Sequence, residues 1–128
     1  MNNSRRITAR FAAQYVEDSL SQGGPSAAGY TELMALVADM RSEEYKAVKN
    51  LSRYQEKDER SQQYHRVAME AFPLLQTADD ELKRGLKLGE WEPEIVINSL
   101  RAAASATGAT AEKPLKKTRK KGLRKSRV

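Results

Sequence analysis

The residues best suited to chemistry in this chain lie at its C-terminal end. From Lys113 to Val128 the sequence reads KPLKKTRKKGLRKSRV, which holds Lys113, Lys116, Lys117, Arg119, Lys120, Lys121, Arg124, Lys125 and Arg127 and no acid. Nine cations so close together have no internal counter-charge, and a phosphate backbone is a natural partner, because each cation that meets a phosphate releases condensed counterions. Such binding is blind to base sequence. Readout needs side chains held against base edges, single-strand stacking needs aromatics, and the arm has neither. Pro114 and Gly122 also argue against one continuous recognition helix. The run KKTRKK has the form of a nuclear-import address, and an acidic protein surface would attract it too. An anionic membrane suits it less, since the arm lacks the apolar face of an interfacial helix. The plain alternative is a disordered, solubilising end without a defined partner.

No other constellation in the chain supports catalysis. His65 is the single histidine and there is no cysteine, so a nucleophile–base pair or a metal cluster is hard to assemble, and zinc sites of the cysteine type and disulfides are excluded. Its polar surroundings, Tyr64 and Arg66, suggest a solvated helix-face histidine. The acid clusters Asp58-Glu59 and Asp79-Asp80-Glu81 lack the glycine-punctuated spacing of a calcium loop, and acids at a helix start explain the second cluster more simply. Gly23-Gly24 lacks the frame of a phosphate-binding loop and reads as a turn. The expectation is a protein that is not an enzyme and needs no metal or cofactor.

The elements that must carry the arm are helical. At 128 residues the length favours one domain with an appendage. Charge divides along the chain: residues 1–112 carry −3 and the arm +9, which together give the net +6. The body is therefore mildly acidic, and the arm supplies the cation. Ser4 can cap a first helix from about Arg5 to Ser21, with Ile7, Phe11, Tyr15, Val16 and Leu20 as its apolar side. The opening residues, rich in arginine and hydroxyls, have the composition of a transit peptide, although a helix with a basic polar face is the more ordinary reading. Its arginines Arg5, Arg6 and Arg10 form a candidate secondary basic patch.

Gly23-Gly24-Pro25 stops the first helix. A second begins near Thr31, with Leu33, Leu36, Val37 and Met40 inward, and Ser42 followed by two glutamates marks either a new start or a kink. Tyr54 to Arg66 has no aliphatic residue and reads as a solvent-bridging helix or a surface loop. Pro73 should end or kink the next helix at Phe72, and Thr77 with Asp80 resembles a capping box for a short helix that Gly89 terminates. Pro93 opens a last helix carrying Ile95, Val96, Ile97 and Leu100, which Gly108 closes. No run alternates convincingly at period two, no repeat of 20–50 residues is visible, and no apolar run is long enough to span a bilayer.

From Phe11 to Thr31 the chain reads FAAQYVEDSLSQGGPSAAGYT. The order of Phe11, Tyr15, Asp18 and Ala28-Gly29-Tyr30 resembles the opening of the helix-turn-helix in phage terminase small subunits, over about a sixth of the chain. That resemblance implies a ring-forming subunit that marks viral DNA for packaging, with this region close to DNA. The departure is at Gly23-Gly24-Pro25, where the family has a helix.

These readings combine into an all-α fold, a small bundle of four to six helices with a disordered or partner-ordered basic tail. The expected organisation is a helical domain over 1–106, a linker over 107–112 and the tail over 113–128. The expected role is a structural protein, self-associating or bound to protein partners, whose tail binds DNA or RNA phosphates within a ribonucleoprotein, nucleoid or virion. The alternatives are a scaffold for protein partners and a terminase-like packaging subunit. The expected location is intracellular (cytoplasm, nucleoid or nucleus) or virion, with no secretion signal and no membrane partner.

Overall fold

The computed structural model describes residues 1–50 and 58–109, which form an all-α protein with four α-helices and no strand among the described residues. α1 spans Asn3–Ser19 and passes through a 3₁₀ turn at Leu20–Gln22 into α2, Ala27–Lys49. α3 spans Glu59–Leu88 and α4 spans Pro93–Ala104. α2 packs along α3, α4 packs against both α3 and α1, and α1 meets α2 over a much shorter line.

The cap of α1 is Asn2 rather than Ser4: its Oδ1 accepts the Arg5 N–H at 2.8 Å. The buried face of α1 also differs from expectation. Ala9, Ala12, Ala13 and Val16 face the core, while Ile7 and Phe11 are 63% and 73% exposed. α1 carries two apolar stripes, one large and one small, and both fit a 3.6-residue period. The alanine stripe is buried because it meets Val96, Leu100, Ala103 and Ala104 of α4, where small side chains let the two backbones approach closely.

The turn after α1 forms as its residues demand. Gly23 and Gly24 both have positive φ, which other residues adopt only under strain. Ser26 then caps α2, its Oγ accepting the Gly29 N–H at 3.1 Å, so the helix starts several residues before Thr31. There is no break at Ser42. The glutamates that suggested a new start lie mid-helix, and Glu44 is fully buried.

Asp58 caps α3 through the Ser61 N–H at 2.9 Å. Tyr64 and His65 thus lie on a helix, whereas Tyr54 and the rest of 51–57 fall outside the described residues. His65 is buried, not solvated, with Nε2 3.2 Å from the Val48 carbonyl oxygen. It shares a face with Ala68, Ala71 and Leu75, so a polar residue continues an inward stripe that aliphatic counting does not detect.

α3 continues through Pro73 instead of ending at Phe72, and Thr77 lies inside it, donating its hydroxyl to the Pro73 carbonyl oxygen at 3.0 Å. Proline removes one helical hydrogen bond and crowds the preceding turn, at a cost of about 3 kcal/mol in a helix interior. Burial of Ala68, Ala71, Leu75, Ala78 and Leu82 on both sides outweighs that single local loss. Because Pro73 is exposed, Pro73→Ala should stabilise the fold by about 1–3 kcal/mol, part of the gain being offset by a freer unfolded chain. Thermal unfolding checks this, and an unchanged or lower Tm would show that the helix is already adapted to the ring.

Gly89 ends α3 in the left-handed conformation, its N–H donating to the Gly85 carbonyl oxygen at 2.9 Å, and Pro93 occupies the first turn of α4. The connection is tied down by Glu81, whose carboxylate accepts from Arg84 at 2.7 Å and from the Glu92 N–H at 2.6 Å. Asp79 and Glu81 are therefore mid-helix pairing groups, not helix-start charges. The Arg84 hydrogen bonds, followed by the Glu92 N–H, hold the Glu81 carboxyl below the ordinary carboxylate range, with burial opposing them. A depressed folded pKa gives stability that is present above the unfolded value, about 4.3, and lost as pH falls through the folded one. Denaturant midpoints should accordingly drop on acidification below about pH 4. Glu81→Gln should flatten that drop, and an equally steep loss in the variant would assign it to other carboxylates.

Candidate functional site

The nine cations of the arm lie outside the described residues. The other predicted basic residues, on α1, are held in internal contacts. Arg5 turns toward α2 and α3: its Nε is 2.8 Å from Glu44 Oε2, and its NH2 donates to the Tyr64 hydroxyl at 2.9 Å. Arg6 and Arg10 turn the other way and donate to the carbonyl oxygen of Ala104, at 2.7 and 3.4 Å. That carbonyl is at the C-terminal end of α4, where unpaired carbonyls and the helix dipole favour a cation. Arg5 is thus separated from Arg6 and Arg10 by the helix they share.

Glu44 is the centre of the node that holds Arg5. Its second oxygen lies 3.4 Å from the Met1 amine, itself buried. Burial pushes that amine down, and Glu44 partly restores it. Burial also works against the Arg5 charge, but the hydrogen bond and charge of Glu44, aided by Tyr64, outweigh it and raise the guanidinium above its ordinary value. One carboxylate therefore joins α1 to α2, and Arg5 extends the link to α3. The composition of α2 held no hint of this, because a glutamate two residues from Ser42 looks like a helix-start acid. A second buried carboxylate, Asp79, sits 2.9 Å from Lys83 Nζ and 3.5 Å from Arg41 Nε, linking α3 to α2. No group of three or more His, Cys, Asp and Glu side chains able to hold a metal occurs among the described residues.

Reading for function by charge alone missed the apolar surface where α1 meets α2. Phe11, Tyr15, Gly29, Glu32, Leu33 and Leu36 line a groove of about 110 Å³ there. Gly29 makes room for Tyr15: a Cβ would collide with the Tyr15 hydroxyl, which crosses the first turn of α2, and the ring would have to move. Tyr30, next in sequence, points the other way, donating to the Leu82 carbonyl oxygen at 2.6 Å and meeting Trp91 edge-on with ring centroids 5.2 Å apart. Gly85 makes room for that pair, since a Cβ there would strike the Tyr30 hydroxyl and the Cβ and Cγ of Trp91. The Ala28-Gly29-Tyr30 order therefore has a packing role, with one residue receiving α1 and the next gripping α3. The signal in the sequence is the large apolar stripe itself, which periodicity alone places in the core.

The fold defines the class, an all-α bundle of helices joined by buried carboxylates and carrying an acid-free cationic arm in its sequence. Comparisons with protein-family models, curated proteins and solved structures found no match to the chain.

Proposed function

We propose that the protein is a non-enzymatic, nucleic-acid-associated structural component whose Lys113–Val128 arm binds DNA or RNA phosphates within a larger assembly in the cell or a virion. The carrying observation is the charge partition: nine cations and no acid in sixteen residues, set after a body of net −3. Four arginines of the body support the reading, because they are paired with acids of the same chain. Arg5 pairs with Glu44, Arg41 with Asp79, Arg84 with Glu81 and Arg101 with Glu17, leaving the arm as the concentrated source of positive charge. No helix among the described residues is long and apolar enough to cross a membrane.

The test is fluorescence anisotropy of the full-length chain with labelled duplex DNA, single-stranded DNA and structured RNA across a salt series. A second chain with all nine arm cations changed to Gln is measured alongside. Binding that needs the cations and weakens steeply with salt supports the reading, whereas no binding at low salt would sink it. The exposed Phe11 and Leu36 favour a second reading, an assembly protein whose helices contact protein partners. A DNA-packaging role of the terminase small-subunit kind is a separate alternative, because it puts the Phe11–Thr31 region close to DNA. It gains support if the arm-neutralised chain still prefers duplex DNA.

A further inference from the structure

We propose that the exposed face formed by α1 and α2 pairs two copies of this chain in an isologous dimer. α1 presents Ile7, Phe11 and Tyr15 at a spacing of four residues, and Leu36 lies beside them on α2. These side chains are respectively 63%, 73%, 37% and 42% exposed, so a contiguous apolar strip with a groove along it faces outward. A strip of this kind rimmed by polar residues marks an interaction surface.

The charges at its two edges point to a second copy as the occupant. On the α1 edge, Arg10 is exposed one residue before Phe11, reaching the Ala104 carbonyl oxygen through one nitrogen at 3.4 Å, and α1 holds no acid before Glu17. On the α2 edge, Glu32 and Asp39 are exposed on either side of Leu36, and no base lies between Ala27 and Met40. Neither acid forms an ion pair with another described residue. One edge of the strip therefore carries a cation, Arg10, and the other carries two acids. A two-fold axis running along the groove lays α1 of each copy over α2 of its partner, and in that arrangement Arg10 meets the partner's acidic edge twice. The apolar centre supplies the burial, and the edges set the register.

The test is analytical ultracentrifugation of the nuclease-treated, full-length chain over a concentration series at high salt, where bridging by nucleic acid is screened. The expected result is a monomer–dimer equilibrium. Phe11→Glu and Leu36→Glu change exposed side chains, so circular dichroism and Tm should stay native while the dimer dissociation constant rises at least about 30-fold, the size of one interface hot spot. At about 0.15 M salt, where the exposed edge charges are less screened, Arg10→Glu should weaken the dimer, and Arg10→Glu combined with Glu32→Arg and Asp39→Arg should restore it. A chain that stays monomeric at every concentration overturns the proposal. So does a dimer that Phe11→Glu and Leu36→Glu leave unchanged, or a mass that grows without limit.

Discussion

Raising salt from about 50 to about 200 mM should lower the affinity of the full-length chain for duplex DNA about 10³- to 10⁵-fold, the loss for six to ten phosphate contacts. Each phosphate neutralised contributes about −0.9 to the slope of log affinity against log salt, so engagement of all nine arm cations gives a slope of about −8. Single strands, with their lower charge density, should give about −0.7 per phosphate. Replacing three of the nine by Gln should reduce the duplex slope by about 3 whichever three are chosen, because the contact is with charge and not with base edges. That indifference to position separates a phosphate-binding arm from a sequence reader. A slope near zero, or a loss concentrated at one residue, would contradict the mechanism. Partial release on neutralising Arg5 would be uninformative about phosphate contact, since that side chain also holds Glu44.

Glu44→Ala should destabilise the fold by about 3–5 kcal/mol, because it removes one partner of a buried ion pair and leaves Arg5 without its counter-charge. Glu44→Gln keeps the volume and one acceptor, and about 1–3 kcal/mol is expected for the lost charge. The informative comparison is the double replacement of Glu44 and Arg5 by Leu. With both charges removed, the buried Met1 amine loses Glu44 but no unpaired Arg5 is left beside it, so the double variant should be less destabilised than the sum of Glu44→Leu and Arg5→Leu by more than 1 kcal/mol. Urea unfolding followed by circular dichroism measures each variant against the unaltered chain. Additive losses would mean that Glu44 stabilises by packing alone. The node contains residues of α1, α2 and α3, so it forms only once three helices are in place and its loss should raise the unfolding rate.

Much of the local organisation was legible in the residues. Gly23-Gly24-Pro25 stops the first helix, Gly89 ends the third and Pro93 opens the fourth, because positive φ and a fixed proline φ are properties of single residues. The same locality misled at Pro73 and Ser42. Each carries a residue that breaks or starts helices in isolation, and each is carried through by burial on both sides. The candidate site was legible only as charge. The arm announces itself by composition, whereas the groove depends on which stripe of α1 turns inward.

Sequence by itself determined the helical class, through 3.6-residue apolar periodicity without period-two alternation, and the partition of charge between body and arm. Tertiary structure alone decided that alanines rather than Phe11 enter the core, that His65 and Glu44 are buried, and that Arg5, Arg6 and Arg10 divide between two sides of α1. The reason is physical. Period and charge are carried by neighbouring residues, but a face is buried only against the helix that meets it, and the Ala103-Ala104 face of α4 lies about ninety residues from the alanines of α1 that it covers.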